Sequence, residues 1–135
     1  MNRFLLDTNV WIFLLKQPPV HLRRRLDAEA VANIVSCSVI KAELWHGALK
    51  YHDAQRRQTV VEDLLAPYES LPFDDAAARH YARIRHDLET RGQVIGPNDL
   101  KIAAICLAYG LTLVSSNTEE FGRVPGLRVE DWSRA

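Results

Sequence analysis

Three acids, Asp7, Glu43 and Asp99, are placed where carboxylates can do chemistry together. Phe4-Leu5-Leu6 is a short apolar run that stops at Asp7 and passes through Thr8-Asn9 into a helix starting near Val10. This has the form of a buried strand with a carboxylate at its carboxyl end, the edge where open α/β sheets take ligands and metals. Glu43 and Asp99 stand in the first turns of two later helices, each at the end of an apolar segment. Three carboxylates within about 5 Å of one another repel by roughly 3 kcal/mol per pair at an effective dielectric of 20. A fold holds them only with a bound cation or with some acids protonated. An all-oxygen donor set with room for water suits Mg²⁺, with Mn²⁺ as a substitute.

Each acid also has a plainer explanation. Asp7, Thr8 and Asn9 are all residues that cap helix N-termini. Glu43 and Asp99 sit where the helix dipole favours an acid, although Glu43 falls at the boundary of the apolar pattern Val39, Ile40, Leu44, Trp45. These explanations serve one residue at a time; they do not explain why all three acids fall at the same edge.

The elements that must position the acids alternate between strand and helix. Strands are expected at Arg3–Leu6, Asn33–Cys37, Ser70–Pro72, Leu111–Ser115 and Leu127–Glu130. Helices are expected from Val10 to Lys16, from His21 to Ala30 after Pro18-Pro19, from a Ser38 cap to Lys50, and from an Asp53 cap to Leu65. Asp74 or Asp75 starts a long amphipathic helix ending near Gly92. Pro97 opens another that Gly110 closes. Asn117–Phe121 is a turn or short helix. Such alternation implies a parallel α/β sheet with right-handed crossovers. The 135 residues suffice for a single domain spanning 1–135.

Composition narrows the classes further. Lys plus Arg equals Asp plus Glu at 17 each, so net charge announces no polyanion partner. Local clusters do exist, at Arg23-Arg24-Arg25, Arg56-Arg57 and Arg79, Arg83, Arg85. Such clusters beside an acidic pocket can hold nucleic acid in a neutral protein, although any one of them also fits a solvated helix face. Cys37 and Cys106 are far apart, and the five histidines have no zinc-type spacing. No apolar run reaches the roughly 20 residues that span a bilayer, and the N-terminus lacks a secretion-type cleavage site. A cytoplasmic protein without a membrane partner is expected.

LLDTNVWI at the start, SVIKAELWHGA around Glu43, IGPNDLKIAAICLAYGLTLVSSNTEEF and the terminal GLRVEDW together resemble the PIN-domain ribonucleases. More narrowly they resemble the VapC toxins of bacterial type II toxin–antitoxin pairs, over nearly the whole chain. The resemblance implies a three-layer α/β/α PIN-like fold with a five-stranded parallel sheet and a Mg²⁺-dependent endoribonuclease. It implies structured RNA, transfer RNA foremost, as substrate, and cleavage leaving a 5′-phosphate and a 3′-hydroxyl. Inhibition by a VapB antitoxin, a homodimer and a higher toxin–antitoxin assembly are implied as well. Asp7, Glu43 and Asp99 match the three metal-binding acids, and Asn117 stands where the wider family carries a fourth, usually Asp. Glu120 is positioned either to help or to be a solvated turn residue; Thr8, Asn9 and Ser115 are supporting candidates.

Two other enzyme classes and one silent alternative compete. A haloacid-dehalogenase phosphotransferase needs an acid two residues after the first, where Asn9 stands, and a receiver domain needs adjacent acids after the first strand. A catalytically silent PIN-type module binding RNA or protein is kept open by Asn117 alone.

Overall fold

The structure, a computed structural model, describes residues 2–134. Strand β1 (Phe4–Leu6) is buried throughout, with Leu5 and Leu6 at 0% exposure. Full burial of such a leucine stabilises by about 1.5–3 kcal/mol, which is why this run takes the middle of the sheet. The chain continues through α1 (Thr8–Leu15), α2 (Val20–Ala28), a single 3₁₀ turn (Val31–Asn33) and β2 (Ile34–Cys37). Helices α3 (Ser38–Leu49) and α4 (Ala54–Leu65) lead to β3 (Glu69–Leu71). After α5 (Asp75–Thr90) and α6 (Pro97–Tyr109) come β4 (Thr112–Val114), α7 (Thr118–Phe121) and β5 (Arg128–Glu130).

All five strands pair in parallel, in the order β3-β2-β1-β4-β5. Leu5 pairs with Val35 on one side and with Leu113 on the other. The uniformly buried β1, β2 and β4 are interior, whereas β3 and β5, which carry exposed residues, form the edges. This is the expected α/β fold with its five-stranded parallel sheet. The chain winds outward from β1 to β3, then returns to the other side for β4 and β5. Right-handed crossovers therefore put α1–α4 on one face and α5–α7 on the other. The winding reverses between β1 and β4, whose carboxyl ends form the switch point of the sheet.

Several element ends differ from expectation. Helix α1 begins at Thr8, not Val10, because Asp7 itself is the N-cap: its carboxylate accepts from Thr8 N at 2.7 Å. Ser38 is the first residue of α3 rather than its cap; Cys37 takes that place while still extended, with no side-chain cap bond. Asp74, not Asp75, caps α5 by accepting from Ala77 N, and also receives the Tyr109 hydroxyl. Asp53 caps α4 as expected. Gly110 closes α6 at φ 66°, a left-handed position that a residue without Cβ takes at little cost.

Helix α1 is apolar nearly all round, yet only Val10 and Trp11 are buried, and Phe13 is 37% exposed. Cys37 and Cys106 are free buried thiols, and burial pushes the Cys37 thiol up to about 11. Among the described residues no helix is long and apolar enough to cross a membrane.

Candidate active site

Asp7 leaves β1 at the switch point, 5% exposed, with its backbone N–H bonded to Val114 O of β4 at 2.9 Å. Both of its carboxylate oxygens are occupied. Oδ1 accepts from Thr8 N, and Oδ2 accepts from Ser115 Oγ at 2.9 Å. Ser115 directly follows β4, so the two central strands present one acid and one hydroxyl to each other by register alone. Asp7 is nevertheless pushed above its ordinary value. Burial is the main cause; the two hydrogen bonds oppose it, and Glu43 and Glu120 add repulsion.

Glu43 arrives from the second turn of α3. Its Oε1 accepts from Thr8 Oγ1 at 2.6 Å, which links α1 to α3 beside Asp7. Asp99 arrives from the first turn of α6, a helix that runs back from the carboxyl edge. Its carboxyl is pushed up to about 7, first by burial, then by the charges of Asp7, Glu120 and Glu43, and by a hydrogen bond with Glu120. Asp99, kept protonated by burial and by these charges, can donate to Glu120.

Glu120 therefore belongs to the cluster. Asn117 Nδ2 donates to its Oε2 at 2.7 Å, and Gly96 N donates to its Oε1 at 3.3 Å. Asn117 N in turn donates to Ser115 Oγ at 3.0 Å. Asn117 thus acts as the clamp of an acid three residues along, on the short helix α7. Asn9 is exposed and makes no side-chain hydrogen bond among the described residues.

The four carboxylates converge without forming a closed cage. Among the described residues no three His, Cys, Asp or Glu side chains are grouped tightly enough to hold an ion by themselves. Asp7 and Asp99 are both raised in part by the charges of Glu43 and Glu120, and Asp99 by that of Asp7 as well. An all-oxygen set with no nitrogen or sulfur donor fits a hard divalent cation that keeps part of its water.

A model of the PIN domain matches residues 4–127. The chain belongs to the PIN-domain family. It is 41% identical over 133 residues to the tRNA(fMet)-specific endonuclease VapC of Shigella flexneri, covering 98% of this chain and 100% of the relative. Ribonuclease VapC2 of Haemophilus influenzae is 39% identical, covering 98% and 99%. Among solved structures, DNA-bound VapBC from Salmonella typhimurium superposes with a TM-score of 0.91 at 39% identity, covering 98% of this chain and 99% of that one. Within the PIN family the chain falls among the VapC ribonucleases. It is an endoribonuclease, and PIN nucleases as a family depend on a divalent metal.

The PIN fold gathers the three acids singled out in the sequence, and adds Glu120. The signal for Glu120 was its place three residues after Asn117, one turn along a helix, where the amide can reach it. The hydroxyls of Thr8 and Ser115 are supports, each bonded to one acid.

Proposed function

We propose that Asp7, Asp99 and Glu43 hold Mg²⁺, replaceable by Mn²⁺, and that Glu120 supplies the fourth carboxylate which Asn117 does not. The substrate is structured RNA, with transfer RNA the first choice, cut to leave a 5′-phosphate and a 3′-hydroxyl. One observation carries this reading: acids from β1, α3, α6 and α7 converge on the β1/β4 switch point, joined by Ser115 and Thr8. When bound, the ion supplies Lewis acidity, stabilising charge on a phosphoryl oxygen and acidifying water.

The chain's own groups set the rest. Asp7 is the preorganised ligand, because Ser115 Oγ and Thr8 N fix its plane before any ion arrives. Asp99 completes the pair once its carboxyl, held up to about 7 chiefly by burial, has lost its proton to solvent. Glu43, held by the Thr8 hydroxyl at one oxygen, keeps the other to accept a proton from the attacking water. Asn117 orients Glu120.

The protein partner is a VapB-type antitoxin in a toxin–antitoxin assembly, as in the VapBC complex from Salmonella typhimurium. A cavity of about 160 Å³ between α1, α3 and α4, lined by Ile12, Leu15, Leu44, Ala48 and Val61, offers an apolar groove for a partner helix. Glu43 also lines this groove, so a basic side chain from the partner would reach the acids there. Part of α1 is thus core and part is partner surface. Homodimerisation and a cytoplasmic location complete the proposal.

The deciding experiment maps RNA ends after incubation with purified protein, with and without EDTA. Defined ends that vanish with EDTA support the nuclease, and intact RNA in Mg²⁺ refutes it. A silent module, argued only from Asn117, is weakened by the anchored Glu120. Induced expression separates the two: the active toxin halts growth and its Asp7→Ala form does not.

A further inference from the structure

A second cavity, of about 350 Å³, opens beside the acids between α3 and α6. Ser38, Glu43 and His46 line it from α3, and Asn98 and Lys101 line it from α6. Positions three apart share a helix face, so Asn98 with Lys101 looks across at Glu43 with His46. Asp99 and Lys101, two apart on α6, point to different sides, one to the acid cluster and the other to the cavity. Glu43 is the wall common to both.

The electrostatics of the cavity differ from those of the acids next door. Lys101 is half-buried and makes no ion pair or hydrogen bond among the described residues. His46 is exposed and is likewise unengaged, with a ring N–H to donate in either protonation state. Two long helices begin here, at Ser38 and Pro97, and neither has a side-chain cap bond at its N-cap. Uncapped helix starts carry partial positive charge and free N–H groups. Glu43 is the one acid in the lining, and one of its oxygens is already engaged by Thr8.

We infer that this cavity, through Lys101 and His46, binds an RNA phosphate neighbouring the one that is cut. It rests on the nuclease reading for its orientation: the acids face the scissile phosphate, and the Lys101 cavity holds the next one along the strand. Lys101 then sets the register of the strand over Asp7 and Asp99. No base contact is involved, so the subsite contributes affinity and position rather than sequence preference.

The test measures binding of fluorescein-labelled transfer RNA in EDTA, where no cleavage occurs, for wild type, Lys101→Gln, His46→Ala and Lys101→Arg. Lys101→Gln is expected to bind roughly tenfold more weakly and to lower the slope of log affinity against log salt by about one. His46→Ala loses less, and Lys101→Arg recovers most of the affinity. In Mg²⁺ the loss falls mainly on KM. A substrate with an uncharged methylphosphonate next to the cut site repeats the loss in wild type and adds nothing in Lys101→Gln. Wild-type affinity and salt slope in Lys101→Gln would overturn the inference, as would a fall in kcat at unchanged KM. Binding that needs Lys101 in a protein that cuts no RNA would sink the nuclease reading while leaving the subsite standing.

Discussion

The two halves of the acid cluster are built on opposite principles. At the β1 end, Asp7 is fixed by the sheet: buried, capped onto Thr8 N and bonded to Ser115 across the central strand pair. At the helix end, Glu120 of α7 is held by Asn117 Nδ2 and Gly96 N, whereas Asp99 of α6 has no fixed side-chain donor among the described residues and is held up to about 7 chiefly by burial. The strand-borne acid is rigid and already solvated by protein groups, whereas Asp99 at the soft, helix-borne end lacks such donors and changes its charge state near 7. If these acids hold the proposed ion, a site assembled this way would keep one reference ligand in place and let the others adjust.

The largest effect is expected at the rigid end. Asp7→Asn keeps shape and packing but removes the charge, and RNA cleavage should fall below detection. The metal-free variant should melt at or above the wild-type temperature, because a desolvated carboxylate has been relieved. Calorimetry in EDTA with a cleavage assay measures both; residual wild-type activity would refute the assignment. Next comes Ser115→Ala, which strips Asp7 Oδ2 and Asn117 N of their common partner. Loss of such a supporting bond costs about 10- to 100-fold in activity or metal affinity. Asn117→Ala releases Glu120 at the soft end and should cost roughly tenfold at most, read as a shifted Mg²⁺ requirement. If Asn117→Ala proved worse than Ser115→Ala, the rigid and soft labels would have to be exchanged.

The smallest effect is on pH dependence. Folded Asp99 keeps its proton to about 7 against an ordinary 3.8, so the folded state binds more protons across that window. Stability of the metal-free protein should therefore fall as pH rises from 3.8 towards 7. Asp99→Asn should flatten that trend in thermal melts at pH 5 and 7.5. A wild-type protein that gained stability over the same range through this residue would contradict the raised Asp99 carboxyl.

The fold was largely readable because its strands are short apolar runs and its helices are bounded by Pro97, Gly110 and capping acids. Asp7, Glu43 and Asp99 were readable for the same reason: each follows an element end that the periodicity locates. What escaped is side-chain reach. Nothing local to Thr8 says that its hydroxyl crosses to Glu43, 35 residues away in the chain. Glu120 stayed ambiguous because a turn acid near Asn117 becomes a site residue only once α7 is docked against Gly96. Ser38 misled because a serine before a helix usually caps it, and here the extended Cys37 precedes it directly.

The two buried sulfhydryls, Cys37 at the end of β2 and Cys106 on α6, follow a different logic from the acids. With both held firmly protonated, neither offers the thiolate that alkylating agents and peroxides attack. Iodoacetamide should leave the native enzyme unlabelled and mark it only when the helices lift away from the strands. The rate of carbamidomethylation at Cys37 then serves as an internal clock for opening of the molecule, readable by mass spectrometry in the presence of the antitoxin or the ion.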